Sequence, residues 1–216
     1  TINKVPANQG PTASNTDVSL NDLSANTMYN LSVNEFNSAD MSNSKIDISG
    51  VTRPTDFNNN GTDVSQNMTG SDLSDNRIIM NIIHKDVEGT LDISGYTIKY
   101  TVRGDNSDSN TITKTALVKS AHLSNLDVSV NSLQYPNSIY DMSVNLFNVH
   151  DMSNAFIDIS GLTKPRDFVT TDVSQNKATT TSTTLMMNIN SKQDTNSLAI
   201  KNYVIDFSGN NGSNAS

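Results

Sequence analysis

Residues 133–168 read LQYPNSIYDMSVNLFNVHDMSNAFIDISGLTKPRDF, and residues 23–57 read LSANTMYNLSVNEFNSADMSNSKIDISGVTRPTDF. The two stretches share a tyrosine, a Phe-Asn pair and the run Ile-Asp-Ile-Ser-Gly. From Tyr29 and Tyr140 to the final phenylalanine they align without a gap, at an offset of 111 residues (29 to 140). A repeat of this length and fidelity indicates that the chain is built from tandem modules.

The repetition continues on the C-terminal side of both copies. Residues 172–176 repeat residues 63–67 at an offset of 109 (63 to 172), and residues 203–207 repeat residues 96–100 at an offset of 107 (96 to 203). The small deletions fall in loops, where they are tolerated. Apolar residues alternate with polar ones in short runs throughout the repeat, which predicts half-buried strands, including one at residues 18–20 and one at residues 203–207. No helical period of useful length occurs, so the chain is predicted to be all-β.

The composition restricts the classes of function. The formal net charge is −8 and the isoelectric point is near 4.6, so a nucleic-acid partner is not expected. The chain contains no cysteine, so disulfide bonds do not contribute to the fold. No apolar run has the length of a membrane span, and no signal peptide opens the sequence, so we expect no membrane insertion in this segment.

The tyrosine region follows a more specific pattern, Leu23-x-x-Asn26-Thr27-x-Tyr29-x-Leu31-x-Val33, with Phe36-Asn37 after it. It resembles the tyrosine-corner strand of a fibronectin type III domain, and the segment around Tyr140 resembles that strand again. Residues 93–100 are similar to the third strand of that family. The resemblance covers nearly the whole chain and implies antiparallel seven-stranded β-sandwiches of immunoglobulin-like, fibronectin type III type in tandem. It also implies that Tyr29 and Tyr140 form structural tyrosine corners, with hydroxyls bonded to nearby backbone.

The chain departs from this family in two respects. The usual tryptophan of the second strand is missing, and Ile82 and Ile189 hold its place. The repeat, 111 residues between the equivalent prolines Pro54 and Pro165, is also longer than a typical family member. We interpret the extra length as longer polar loops.

The module boundaries fall at residues 52–54 and 163–165. Residues 53–164 are therefore predicted to form one complete module, residues 1–52 the C-terminal half of another, and residues 165–216 the N-terminal half of a further one. Reading from the last residues into the first, Ser-Asn-Ala-Ser-Thr-Ile-Asn-Lys, reproduces the pattern of residues 107–114. We expect a neighbouring copy to complete each half. That copy is either the covalent continuation of a longer array, which we favour, or a separate chain that donates strands head to tail.

Three kinds of candidate site occur in the sequence. Arg103-Gly104-Asp105 matches the tripeptide that integrins bind in some members of the family. A polar turn that contains a glycine is also expected at this place without any binding function. The acidic and amide residues 105–110 offer oxygen ligands but lack the spacing of a known calcium loop. Asn-x-Ser/Thr acceptors for N-glycosylation occur at Asn30, Asn60, Asn67, Asn211 and Asn214.

No arrangement of residues indicates catalysis. The histidines His84, His122 and His150 are scattered, without a cysteine or carboxylate at ligand spacing, and no Gly-x-Ser-x-Gly motif occurs. Catalytic, cofactor and metal residues are therefore not predicted, and an enzyme is not expected.

The sequence thus favours a structural repeat of an extracellular or surface fibre, built from head-to-tail modules whose partners are neighbouring copies. An adhesion module of a cell-surface or viral fibre, which binds a receptor or a glycan, is the alternative. A spacer inside a secreted enzyme is a third hypothesis. Each of them places the chain outside the cell, on a cell surface or on a virion.

Overall fold

The computed structural model describes residues 3–4, 17–105, 109–192 and 194–209. Its regular structure is almost entirely β, with one short 3₁₀ turn at Gly70–Asp72 within these ranges, and all strand pairs are antiparallel. The prediction of an all-β chain is confirmed. The strands are Met28–Val33 (β1), Ile46–Val51 (β2), Val64–Gln66 (β3), Ile78–Ile83 (β4), Ile93–Val102 (β5), Asn110–Thr115 (β6), Ser124–Val130 (β7), Ile139–Asn148 (β8), Ile157–Leu162 (β9), Val173–Gln175 (β10) and Met187–Ile189 (β11). No helix in the described ranges is long and apolar enough to cross a membrane.

Residues 53–164 form two sheets that share one hydrophobic core. The first sheet has the strand order β3-β4-β7, and the second has the order β6-β5-β8-β9. Because successive side chains of a strand point to opposite faces, each sheet contributes every second residue to the core. Ile78 and Ile82 of the first sheet and Ile98 and Val144 of the second are fully buried and belong to the same cluster.

The central pair β5 and β8 sets the register of the larger sheet. Ile98 lies opposite Val144, and Tyr96 lies opposite Leu146, with all four side chains buried. A shift of one residue would turn these side chains to solvent, so the apolar alternation fixes the pairing. The core thus lies between the two sheets, and the outer face of the larger sheet carries polar side chains such as Lys99, Ser143 and Asp158.

The flanking regions repeat parts of this arrangement with the same register. Met28 of β1 lies opposite Val51 of β2, as Ile139 of β8 lies opposite Leu162 of β9. Likewise β10 pairs with β11 as β3 pairs with β4. The two flanking hairpins are separate two-stranded sheets. The repeat detected in the sequence is therefore also a repeat in backbone pairing.

Two predicted strands are not formed. Residues 17–20 and 201–209 have no regular structure, although their alternation predicted strands at residues 18–20 and 203–207. The counterpart of residues 203–207 is the middle of β5, which is held between β6 and β8. No described strand of this chain lies beside residues 203–207, and a strand without a partner has no ladder of hydrogen bonds to stabilise it.

Candidate functional site

Both flanking regions expose apolar side chains whose counterparts in residues 53–164 form the core. Ile205 is 52% exposed, whereas its counterpart Ile98 is 0% exposed. Ile46 is 64% exposed, whereas its counterpart Ile157 is 5% exposed. The same difference in exposure separates three further pairs, Val33 and Val144, Leu185 and Ile78, and Tyr203 and Tyr96. Each flank therefore presents an apolar face of the kind that marks an interaction surface.

The two exposed faces contain complementary strands. Residues 17–52 contain the counterparts of β8 and β9, whereas residues 165–209 contain the counterparts of β3 and β4 and the sequence that matches β5. Within residues 53–164, β5 pairs directly with β8, and β4 contributes to the same core. Each flank of one copy thus carries strands that the other flank of a second copy lacks.

Two equivalent glycines, Gly161 and Gly50, show the same difference in packing. A Cβ atom placed on Gly161 would lie 2.6 Å from Met142 Cε and 2.8 Å from Ile78 Cδ1, which is closer than side chains approach. A Cβ atom on the equivalent Gly50 would meet only Leu31 Cδ1, at 3.5 Å. The close packing found around Gly161 is therefore missing around Gly50.

A glutamine joins the two sheets of residues 53–164. Gln66 Nε2 donates to Leu162 O at 2.7 Å, and Leu162 N donates to Gln66 Oε1 at 2.7 Å. The side-chain amide thereby bonds the backbone of β9 as a neighbouring strand would. It connects β3 to β9, which is the edge strand of the larger sheet. The equivalent positions are Gln175 and Val51, which lie in different flanks.

A buried asparagine connects residues 17–52 to residues 53–164. Asn26 is fully buried and has a φ angle of 48°, which asparagine tolerates better than most residues. Its carbonyl accepts from Leu91 N at 2.9 Å, and its Nδ2 donates to Leu91 O at 2.6 Å. Its Oδ1 accepts from Asn148 Nδ2 at 2.9 Å. Because the side chains of Asn26 and Asn148 are fully buried, these hydrogen bonds fix how the two regions meet.

The same junction occurs again one repeat later. Asn137 is buried, with a φ angle of 51°, and its carbonyl accepts from Leu198 N at 2.6 Å. Asn137 Nδ2 donates to Leu198 O at 2.6 Å. Next to it, Ser197 Oγ donates to Pro136 O at 3.2 Å. Residues 53–164 therefore meet both flanks through equivalent contacts.

The two tyrosines bond the backbone in the same manner. Tyr135 N donates to the hydroxyl of Tyr140 at 2.9 Å, and Ser24 N donates to the hydroxyl of Tyr29 at 2.8 Å. Tyr140 is buried, and burial raises the pKa of its hydroxyl. Each hydroxyl thus ties its strand to the segment five residues before it.

The Arg-Gly-Asp turn holds its arginine against the sheet. Arg103 Nη2 lies 2.5 Å from Asp141 Oδ1 and donates to Ser160 Oγ at 2.9 Å. This contact raises the pKa of Arg103 and lowers that of Asp141. Gly104 has a φ angle of 90°, so the turn itself requires a glycine. The arginine is thus bonded within its own sheet, and the glycine has a structural reason to be there.

An open groove of about 570 Å³ lies on the same outer face of the larger sheet. Its lining includes the polar side chains Lys99, Thr101, Asp141, Ser143, Asp158 and Ser160. Lys99 Nζ lies 4.3 Å from the ring centre of the exposed Phe156. The groove is solvent-exposed and its acidic groups already have partners in Arg103 and Ser143.

The candidate glycosylation sites differ in accessibility. Asn30 and Asn60 are exposed. Asn67 is half-buried, and its Nδ2 donates to Asp72 Oδ2 at 2.8 Å, so its amide is engaged. Asn211 and Asn214 lie outside the described residues, as does part of the predicted acidic loop 105–110.

Of the three histidines, only His84 is buried. His84 is buried, with Nδ1 3.0 Å from Ser120 O and Nε2 bonded to the Tyr96 hydroxyl. Burial lowers the pKa of His84, so the neutral ring is favoured. His122 and His150 are exposed, and no group of three His, Asp or Glu side chains suited to a metal is found among the described residues.

Sequence reasoning overlooked the two junction asparagines. Asn26 belongs to the tyrosine-strand pattern, and Asn137 lies at the equivalent position of the second copy, but the pattern alone assigns neither of them a contact. The one available signal is that Leu91 and Leu198 occupy equivalent positions of the repeat, as Asn26 and Asn137 do. In a chain so rich in asparagine, that signal is weak.

No protein-family model matches the chain, and no curated protein shows significant similarity to it.

Proposed function

We propose that the chain is a structural repeat of an extracellular or surface fibre, built from fibronectin type III–like modules joined head to tail. In this proposal, residues 53–164 are one complete seven-stranded β-sandwich. Residues 17–52 and 165–209 are parts of two others, each completed by a neighbouring copy of the same sequence. The chain acts by assembly and carries no catalytic role.

One observation carries the proposal. Side chains at equivalent positions are buried in residues 53–164 and exposed in the flanks, as the pair Ile98 and Ile205 illustrates. Burying an isoleucine side chain contributes about 1.5–3 kcal/mol, so several such residues on each flank favour association strongly. A second copy is the partner that fits, because it brings the missing strands with matching side chains.

The arrangement of residues 53–164 supports the module type. Three strands in one antiparallel sheet and four in the other, around one core, agree with the sandwich that the sequence resemblance implies. The bonded tyrosine hydroxyl at Tyr140 agrees with a tyrosine corner. Ile82, which takes the place of the family's tryptophan, is fully buried in the layer between the sheets.

Sedimentation of the 216-residue chain over a range of concentrations tests the assembly. We expect the mean mass to rise with concentration towards long head-to-tail polymers. An Asp at position 46 or 205 places a charge on one apolar face, so Ile46→Asp and Ile205→Asp should each stop polymer growth. Leu117→Asp changes an exposed leucine of residues 53–164 and is the matched control, which should polymerise as the unmodified chain does.

Mixing the two blocked variants sharpens the test. The Ile46→Asp chain keeps an intact C-terminal face and the Ile205→Asp chain keeps an intact N-terminal face, so an equal mixture should form dimers and stop. A chain that stays monomeric at all concentrations, or blocked variants that polymerise normally, would contradict the proposal. The mass of the native protein on a denaturing gel then separates a covalent array from a polymer of 23.4 kDa chains.

A further inference from the structure

The edge strand β9 has outward backbone groups that Gln66 bonds, and the ladder between β8 and β9 explains their direction. Thr163 N donates to Ser138 O at 3.0 Å, so these two residues form a hydrogen-bonded pair. Hydrogen-bonded and non-hydrogen-bonded pairs alternate along an antiparallel ladder, so the N–H and C=O of the adjacent Leu162 point away from β8. The amide of Gln66 has a donor and an acceptor side by side, and it bonds both groups at 2.7 Å.

The hairpin β1-β2 directs the same backbone groups outward at Val51. Thr52 N donates to Thr27 O at 3.0 Å, so Thr52 and Thr27 form a hydrogen-bonded pair. Val51 lies opposite Met28, adjacent to this pair, and its N–H and C=O therefore point away from β1. The backbone of Val51 thus has the orientation that the backbone of Leu162 has in β9.

Gln175 occupies the place of Gln66 in the other flank. Gln66 lies opposite Met80 in the pairing of β3 with β4. Gln175 likewise lies opposite Met187 in the pairing of β10 with β11. In the single chain Gln175 is exposed, and its Nε2 donates to Thr180 Oγ1 at 3.3 Å. This contact is longer than either hydrogen bond of Gln66 and is open to water, so a better-placed partner displaces it at little cost.

We propose that Gln175 of a second copy bonds the backbone of Val51, with Nε2 donating to Val51 O and Oε1 accepting from Val51 N. The inference rests on the proposed function, because the two residues lie in different flanks and come together only when a second copy completes the module. The contact between Gln66 and Leu162, formed within one chain, is the template for it.

The contact gives the interface between copies a directional part beside the apolar faces. Burial of apolar side chains is not directional, whereas hydrogen bonds are. Outward N–H and C=O groups recur only at every second residue of β2, so the amide disfavours a slip of one residue between the copies. Its bonds to Val51 also occupy an edge that would otherwise be open to a further strand. The surface therefore fits a second copy of this chain better than another apolar partner.

The test removes the amide and keeps the apolar faces. The Ile46→Asp chain retains its C-terminal face and should form a one-to-one dimer with the Ile205→Asp chain. Within the Ile46→Asp chain, Gln175→Met replaces the amide by an unbranched apolar side chain of similar length. Ser174→Met places the same side chain at the neighbouring position, whose counterpart Ser65 is exposed, and is the matched control.

We expect Gln175→Met to weaken the dimer at least about tenfold relative to Ser174→Met, because two hydrogen bonds to the backbone of Val51 are lost. Hydrogen exchange reports the contact itself. The Val51 amide of the Ile205→Asp chain should exchange at least about tenfold more slowly in the dimer than in the free chain, and Gln175→Met should remove this protection. Thermal unfolding of the monomer should be the same in both methionine variants, since both positions are exposed there.

Equal association constants for the two methionine variants, or protection of Val51 that persists with Gln175→Met, would overturn the inference and leave the proposed function standing. Failure of the unmodified chain to associate would remove the proposed function and the inference with it. A second arm tests the template in the monomer, where Gln66→Met should speed hydrogen exchange of the Leu162 amide at least about tenfold. Unchanged exchange there would overturn the inference independently of assembly.

Discussion

Replacing Gly50 by alanine should weaken assembly while leaving the monomer intact. Gly50 lies in β2, opposite Tyr29, with a backbone conformation that alanine also adopts. An added Cβ atom would make only an ordinary contact with Leu31, at 3.5 Å. Alanine is also favoured over glycine inside a strand by about 0.5–1 kcal/mol. The free energy of unfolding of the monomer should therefore stay the same or rise slightly.

The expected cost in a completed module follows from the equivalent Gly161. There a Cβ atom would lie 2.6 Å from Met142 Cε and 2.8 Å from Ile78 Cδ1. In the completed module that we propose, Leu185 of the neighbouring copy would take the position of Ile78 and cause the overpacking, whereas Leu31, the counterpart of Met142, stays at an ordinary 3.5 Å. Overpacking of this kind costs about 1–3 kcal/mol. Such a cost weakens association about 5- to 150-fold.

Two measurements check the prediction. Urea unfolding at low concentration reports the monomer, and sedimentation at high concentration reports association. Gly161→Ala is the matched variant, and it should destabilise the monomer itself by about 1–3 kcal/mol because its clash lies within one chain. The reasoning would be refuted if Gly50→Ala associated as tightly as the unmodified chain while Gly161→Ala lost stability as expected.

Three further predictions concern the monomer. The contribution of His84 to stability should be constant above its unfolded pKa, near 6.5, and should fall as the pH drops below that value, because the unfolded chain then binds a proton that the buried ring does not. Urea unfolding of His84→Ser should therefore show a smaller loss of stability at low pH. Tyr140→Phe should lower the free energy of unfolding, measured in urea, by about 0.5–1.5 kcal/mol. An equal loss in the single variant Tyr29→Phe would argue against a special role for the buried tyrosine. Ile98→Ala should cost about 2–5 kcal/mol, and Ile205→Ala should leave the melting temperature of the monomer unchanged; a similar loss for both would show that Ile205 is buried in the monomer.

The sequence was sufficient for the class of fold and for the repeat. Alternation of apolar residues predicted β4, β5 and β8, since each has partner strands and a core to cover on one face. The offset of 111 predicted that the hairpin β1-β2 would match β8-β9, and the two hairpins have the same register. These features depend on local pattern and on neighbours within the same chain.

The alternation at residues 203–207 did not predict the observed structure, because strand formation depends on a partner as well as on pattern. Tyr203 and Ile205 match Tyr96 and Ile98 of β5, yet they are exposed and irregular in the absence of a strand like β8 beside them. The junction at Asn26 could not be predicted either. It joins residues far apart in sequence, and nothing in the composition distinguishes Asn26 from the many other asparagines.

A disulfide between two copies tests the central claim most directly. Lys99 of β5 lies opposite Ser143 of β8, and their counterparts in the flanks are Asp206 and Ser32. Opposed residues of an antiparallel pair have Cα atoms about 4.5–5.5 Å apart, within the range that a disulfide spans. Because the chain has no cysteine of its own, a chain with Ser32→Cys and a chain with Asp206→Cys can react only through the introduced thiols.

The control is a single chain that carries Lys99→Cys with Ser143→Cys, which should close an internal disulfide. On mixing the two single-cysteine chains under mild oxidation, we predict a covalent heterodimer of twice 23.4 kDa that forms in preference to either homodimer. Closure of the control without formation of the heterodimer would contradict completion of the flanks by a second copy.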